Sequence, residues 1–208
     1  MNNNSKKSYH NKNIGLYFGS FNPIHIGHLA IANYMVEYTA IDILWFIVSP
    51  HNPHKKKVNL LNGDDRLEMV HRAVDGDERF QVSDIEFYLP KPSYTIDTLT
   101  YLSERNPSKK FMLLIGSDNL KNFHKWKNFE SIIEHYGIIV YPRHDFEKSK
   151  MMQHPNITVA EKAPMMEISS SFIRNAIRQG KDVRHFLPEK TWKYINEKGF
   201  YQKRPVDK

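Results

Sequence analysis

Apolar residues in this chain follow two patterns: short runs in which every position is apolar, and longer stretches in which they recur at helical spacing. Residues 14–18 (IGLYF) form a short β-rich run ending at Gly19, and across 26–38 Leu29, Ala32 and Val36 keep helical spacing, which predicts strand, loop and helix. Residues 43–48 (ILWFIV) are apolar throughout, as a strand buried on both faces of a parallel sheet must be. Gly63-Asp64-Asp65 opens a helix whose stripe is Leu67, Val70 and Val74, with its acids in the first turn, where the helix dipole favours them. Further along, 80–85 predicts a strand, 95–102 a helix with Ile96, Leu99 and Leu102 inward, and 111–115 (FMLLI) a buried strand that exits at Gly116-Ser117-Asp118. A helix at 129–135, strands at 137–141 and 157–160, and helices at 169–179 and 188–197 complete the pattern, the last two stopped by Gly180 and Gly199.

Buried strands alternating with amphipathic helices predict an α/β fold: a doubly wound parallel sheet with flanking helices and a small C-terminal helical part. Ligands in that architecture sit at the carboxyl ends of the strands, near the switch in strand order. Chemistry is therefore to be sought in the residues just after each strand.

Composition narrows the class. The 208 residues, 40% hydrophobic, suffice for one domain with its own core, expected over 14–201. Residues 1–13, rich in Asn, Lys and Ser, read as a disordered lead-in without the apolar stretch of a signal peptide, and 202–208 as a tail. The absence of Cys excludes disulfides, thiolate zinc sites, iron–sulfur clusters and a cysteine nucleophile. The most apolar stretch, 41–48, contains Asp42 and falls far short of the roughly 20 residues a membrane span needs. A soluble, cytoplasmic protein is the expectation. Thirty Lys and Arg against 23 Asp and Glu leave a net charge of +7, which favours anionic partners: nucleic acid, anionic lipid or a phosphorylated small molecule. Composition does not choose among them, and runs such as Lys55-Lys56-Lys57 are ordinarily solvated surface.

The first strand-to-helix loop, Gly19-Ser20-Phe21-Asn22-Pro23-Ile24-His25-Ile26-Gly27-His28, holds what an anion site needs. Gly19 lets the backbone turn, and the free amides of the helix starting near Ile26 point outward with the positive end of its dipole. His25 and His28, three apart, project from one side, and each can be neutral or protonated near pH 7. Gly27 between them lets a ligand approach the backbone. The plainer reading is a histidine cap beside an ordinary polar residue.

The whole ten-residue string resembles the G-x-F-x-P-x-H-x-G-H signature of the nucleotidyltransferase superfamily, whose members join ATP to a phosphate-bearing acceptor. Ile168-Ser169-Ser170-Ser171-Phe172-Ile173-Arg174 resembles the same superfamily's I-S-S-x-x-I-R motif. One of the serines can cap the helix, and Arg174, a turn in, can reach a phosphate with its planar fork. Further segments resemble the bacterial nicotinate-nucleotide adenylyltransferases: Ser49-Pro50-His51-Asn52-Pro53-His54-Lys55, Ser93-Tyr94-Thr95, Gly116-Ser117-Asp118 with Trp126 downstream, and Leu187-Pro188 with Gly199-Phe200-Tyr201. The resemblance covers about residues 14–201. One position departs from it: many members have Asp where this chain has Asn22, so a loop-shaping role that needs only the side-chain oxygen is expected there.

The resemblance implies a Rossmann-like nucleotidyltransferase fold and adenylyl transfer from ATP to nicotinate mononucleotide, a step of NAD biosynthesis. It assigns ATP to Gly19, Ser20, Phe21, His25, Gly27, His28, Gly116, Asp118, Ile168, Ser169, Ser171 and Arg174. The mononucleotide falls to Asn22, His54, Lys55, Ser93, Tyr94, Thr95 and Trp126, with catalysis resting on His25, His28, Arg174 and Lys55. The amides at Tyr94-Thr95 suit a carboxylate and Trp126 offers the ring a flat face. Trp126 as a packed aromatic, Asp118 as a helix cap and Lys55 as a solvated charge are the plainer alternatives. Mg²⁺ as the cofactor would be held mainly by phosphate and water, with no protein metal cluster. The partners implied are small-molecule substrates, without nucleic acid or membrane, and a homo-oligomer stays open. Nicotinamide mononucleotide or phosphopantetheine as acceptor, and a basic nucleic-acid-binding module, are the rival readings.

Overall fold

The computed structural model describes residues 12–50, 60–143 and 149–203. Strands β1 (Asn13–Gly19), β2 (Ile43–Val48), β3 (Phe80–Ser83), β4 (Lys110–Gly116), β5 (Gly137–Tyr141) and β6 (Ile157–Val159) form one parallel sheet in the order β3-β2-β1-β4-β5-β6. The continuous apolar runs are needed because both faces are covered. One face carries Tyr17, Phe46 and Ile139 beneath helices α1 (Ile26–Tyr38) and α2 (Gly63–Val74). The other carries Leu16, Leu113 and Val140 beneath α3 (Thr95–Arg105), α4 (Ser117–Lys121) and α5 (Phe129–His135). Helices α6 (Ser170–Arg178) and α7 (Glu189–Lys198) return to the first face. There α7 is held to α2 by Thr191 Oγ1 donating to Met69 O at 3.1 Å and the Tyr194 hydroxyl donating to Asp65 Oδ1 at 2.8 Å.

The chain runs from β1 outward to β3, then returns to the other side of β1 to build β4, β5 and β6. That reversal leaves a crevice beyond the carboxyl ends of β1 and β4, where an open α/β sheet takes its ligands. The doubly wound sheet read from the sequence is the one observed.

Several local readings change. β1 starts at Asn13, inside the expected lead-in, because Asn13 is pinned by its backbone N–H to Asp42 Oδ2 and by Nδ2 to Ala40 O. In α1 the fully packed residues are Ile31, Ala32 and Met35, while Leu29 and Val36 are only partly covered. That helix is apolar nearly all round, so spacing alone does not pick its inner face. In α2 Arg66 and Met69 are buried beside Val70 and Val74, and Leu67 is half-buried. β3 ends at Ser83, whose Oγ accepts from Ile85 N–H, and the chain turns into a 3-10 segment, Ile85–Phe87, that buries Glu86. The short α4 and the 3-10 turns Phe123–Lys125, Lys150–Gln153 and Arg184–Phe186 lack a periodic signal of their own.

Candidate active site

The loop after β1 is shaped by side-chain packing. Phe21 is the residue in the left-handed region, at φ 42°, and its ring lies 2% exposed, edge-on to Tyr17, Phe46 and His28. A Cβ at Gly19 would stand 2.7 Å from that ring, so Gly19 supplies room for Phe21, and the turn expected at the glycine falls two residues later. The Phe21 side chain is thus core, and its part in the cleft is to support His28. Asn22 is 5% exposed, and its Oδ1 accepts from the Tyr201 hydroxyl at 2.7 Å and from Leu61 N–H at 3.5 Å. A loop-shaping carbonyl oxygen at this position is what the geometry uses.

His25 stands at the N-cap of α1, 3% exposed, with its ring stacked on His28 at 3.8 Å between centroids. The His25 backbone N–H donates to Nδ1 of His28 at 3.2 Å, so the neutral His28 ring carries its proton on Nε2. Burial, and secondly the charge of Arg143, push the His25 pKa from 6.5 to about 4. Of the two protonation states left open by sequence, His25 takes the neutral one at pH 7. Its Nδ1 is buried without a partner among the described residues, in the wall of the cleft. A Cβ on Gly27 would meet His25 Nδ1 at 3.1 Å and Met166 Cβ at 3.4 Å. Gly27 therefore makes space for the His25 ring.

The second motif arrives at the same place. Ser169 is the serine that caps α6, its Oγ accepting from Phe172 N–H at 3.1 Å. Ser170 Oγ donates to Pro23 O at 2.9 Å, and Arg174 donates to Asn22 O at 2.7 Å and to Ser171 Oγ at 3.1 Å. Residues some 150 positions apart are thereby locked together, and Ser20, His25, His28, Ser171 and Arg174 line one cleft. Two helix N-termini, α1 and α6, open onto it, and the positive ends of their dipoles favour an anion there.

Two pockets adjoin that cleft. Ser117, Asp118, Arg143, Met166, Ile168 and Ser169 line the first. Asp118 is exposed at the start of α4, lines both the cleft and this pocket, and lies 3.5 Å from the Arg143 guanidinium. It does not cap α4, whose N-cap is Gly116. Gly116 has no room for a side chain, since a Cβ there would collide with Asp118 Oδ1 and press on Arg143 and Tyr141. The second pocket is lined by Ser93, Tyr94 and Thr95 at the N-terminus of α3, together with Trp126 and Glu86. Trp126 is half-buried, tilted against Phe123 at 5.1 Å, and it also lines this pocket. His54 and Lys55 lie outside the described residues.

Four residues of this region carried no assignment from sequence. Arg66 is 0% exposed and donates to four carbonyls: Leu61 at 3.1 Å, Ser20 and Ser49 at 2.7 Å, and Pro50 at 3.0 Å. It ties the loops after β1 and β2 together, and burial draws its pKa down against the opposing influence of Tyr201. Glu86 accepts from Thr98 Oγ1 at 3.0 Å, and burial pushes its carboxyl above the usual range. Arg143 follows β5 as Asp118 follows β4, and searching every strand end would have found it. The fourth, Tyr17, sits in a strand and looks like core.

The cytidylyltransferase-like family matches residues 16–176. A curated relative from Flavobacterium johnsoniae, described as "Probable nicotinate-nucleotide adenylyltransferase", is 50% identical over 91% of this chain and 99% of its own. One from Christiangramia forsetii with the same description is 51% identical over 92% of this chain and 100% of its own. Among solved structures, a Plasmodium falciparum nicotinic acid mononucleotide adenylyltransferase complexed with NaAD is similar with a TM-score of 0.74 at 20% identity, covering 91% of this chain and 97% of that one. With half its residues shared along nearly its whole length, this chain belongs to the nicotinate-nucleotide adenylyltransferase family.

Proposed function

We propose that this protein transfers the adenylyl group of ATP to nicotinate mononucleotide, giving nicotinate adenine dinucleotide and pyrophosphate, in the biosynthesis of NAD. The observation that carries this reading is the lock between the two motifs: Arg174 to Asn22 O at 2.7 Å and Ser170 to Pro23 O at 2.9 Å. It gathers two imidazoles, the Arg174 guanidinium and two helix N-termini on one cleft, which two further pockets adjoin.

The mononucleotide phosphate is already an anionic nucleophile, so no general base and no covalent enzyme intermediate are required. Its oxygen forms a bond to the α-phosphorus of ATP as the bond from that phosphorus to the β-phosphate oxygen breaks. Catalysis is then positioning and neutralisation of charge. Nε2–H of His28 donates to an oxygen of the reacting phosphate, and His25, stacked on it, keeps it in place. Arg174 and the amides of Ser170 and Ser171 hold the departing β- and γ-phosphates, and Asp118 takes a ribose hydroxyl. Lys55 and His54 support the acceptor phosphate. The amides at Tyr94-Thr95 read the pyridine carboxylate, with the ring against Trp126.

Among the described residues no group of three or more His, Asp or Glu forms a metal site, and the cleft wall carries one carboxylate, Asp118. That donor set suits Mg²⁺ bound chiefly through ATP and water, where it would offset phosphate charge. No helix among the described residues is long and apolar enough to cross a membrane, which fits action in the cytoplasm, where ATP is at hand.

The test is pyrophosphate release from ATP and Mg²⁺ with nicotinate mononucleotide, nicotinamide mononucleotide and phosphopantetheine offered separately. Turnover with the nicotinate form far above the other two is expected. Preference for another acceptor overturns the carboxylate-reading role of Tyr94 and Thr95. Silence with all three, together with salt-sensitive retention of an oligonucleotide, would replace the enzyme by a binding module.

A further inference from the structure

Two buried phenols meet at the switch point of the sheet. Tyr17 on β1 and Tyr141 at the end of β5 are 4% and 5% exposed, and their hydroxyl oxygens lie 3.2 Å apart, across the end of β4. Gly116, at the end of β4, packs closely beside the pair: a Cβ on it would stand 3.3 Å from Tyr141 Cζ. Both tyrosines line the acceptor pocket and the phosphate cleft, so the pair forms part of the wall the two spaces share.

Two hydroxyls bring two protons, and the single hydrogen bond between them uses one. Arg143, whose guanidinium carbon is 5.8 Å from the centre of the Tyr141 ring, approaches the same oxygen and can only donate. Among the described residues one phenolic proton is thus left without an acceptor, whichever tyrosine donates to the other. Burial holds both groups above the ordinary phenol pKa, with the neighbouring hydroxyl adding to the effect on Tyr17, so both stay protonated.

We propose that the Tyr17–Tyr141 hydroxyl pair donates a hydrogen bond to a phosphate oxygen of the acceptor mononucleotide as that phosphate crosses from its pocket into the cleft. This rests on the adenylyl-transfer reading above. It is a binding contact made by strand residues outside both sequence motifs, and either hydroxyl can supply the proton once its partner is gone.

The experiment compares wild type, Tyr17→Phe, Tyr141→Phe and the double variant in steady-state adenylyl transfer, with KM measured separately for ATP and nicotinate mononucleotide and thermal midpoints alongside. Wild-type turnover is the control: if it is absent, the reaction assigned to the site has failed, independently of the tyrosines. Each single variant retains one hydroxyl and is expected to raise KM for the mononucleotide by less than the double variant does. The double variant should show KM for the mononucleotide raised roughly tenfold or more, as loss of a charge-assisted hydrogen bond implies, with KM for ATP unchanged. A double variant that is less stable but has an unchanged mononucleotide KM, or that loses ATP affinity instead, overturns the proposal. Should the double variant not fold, ¹³Cζ-tyrosine NMR of the wild type decides: mononucleotide alone shifts the Tyr17 or Tyr141 resonance if the contact exists and leaves both in place if it does not.

Discussion

The Tyr201 hydroxyl donates to Oδ1 of Asn22 over 2.7 Å, so a side chain 179 positions downstream holds the loop that carries both histidines. The same oxygen accepts from Leu61 N–H, and the backbone carbonyl of Asn22 takes Arg174. Asn22 is therefore a junction of three parts of the chain, and its job requires an oxygen at the end of a short side chain. The carboxylate expected from the family pattern would supply that oxygen too. Asn22→Asp should keep turnover within about threefold, whereas Asn22→Leu should abolish it, since the loop loses both contacts. Tyr201→Phe removes one hydrogen bond and should cost about 1 kcal/mol, or roughly 2–4 °C in thermal midpoint. Thermal unfolding of the three variants beside their kcat values checks the set.

Arg66 performs a similar service with a full charge. Its fork reaches four carbonyls on the loops after β1 and β2, with no carboxylate among its hydrogen-bond partners in the described residues. Lysine carries three donors at one point and cannot span those acceptors. Arg66→Lys should destabilise the protein by about 2–4 kcal/mol by leaving buried carbonyls unsatisfied. Denaturant unfolding reads this as a lowered midpoint with an unchanged slope. A midpoint equal to wild type would show that the clamp contributes nothing.

Why the strands and motifs were legible while Arg66 was not has a physical basis. A strand covered on both faces must be apolar at every position, so Ile43–Val48 and the 111–115 run inside β4 announce themselves. The His25 and Arg174 strings are legible because loop, glycine and helix start are local in sequence. Their meeting is not local, and neither is a buried arginine that donates to four backbone carbonyls, because backbone leaves no mark in side-chain pattern. Gly19, Gly27 and Gly116 show the same limit from the other direction. Each is recognisable as required, but what requires it, the ring of Phe21, the ring of His25 or the packing of Tyr141, is a tertiary fact.

His25 gives the fold a pH dependence whose sign can be worked out. Its folded pKa, about 4, lies below the ordinary 6.5, so below pH 6.5 the unfolded chain takes a proton that the folded chain refuses. Stability falls as pH drops from about 6.5 to about 4 and levels off below that, with a total contribution of about 3 kcal/mol from this group. Above pH 6.5 both states are neutral and the contribution vanishes. Chemical unfolding at pH 7 and pH 4.5 should show a smaller loss for His25→Gln than for wild type. An equal loss in the two proteins would mean that His25 titrates normally.

Arg143 links that titration to the cleft. Its guanidinium is the second influence, after burial, that keeps His25 neutral, and it lines both the phosphate cleft and the pocket beside it. Its pairing with Asp118 at 3.5 Å is loose and 43% of the arginine side chain is exposed, so the charge is available to a phosphate. Arg143→Gln should lower kcat by about ten- to a hundredfold through lost neutralisation of the reacting phosphates, with little change in KM for the mononucleotide. The same variant should raise the His25 pKa, yet leave it below 6.5 because burial persists. NMR titration of the ring protons measures that shift directly. A kcat loss with no movement of His25 would confine Arg143 to the phosphates, and movement with no kcat loss would leave it as a neighbour that tunes the histidine and does not touch the substrate.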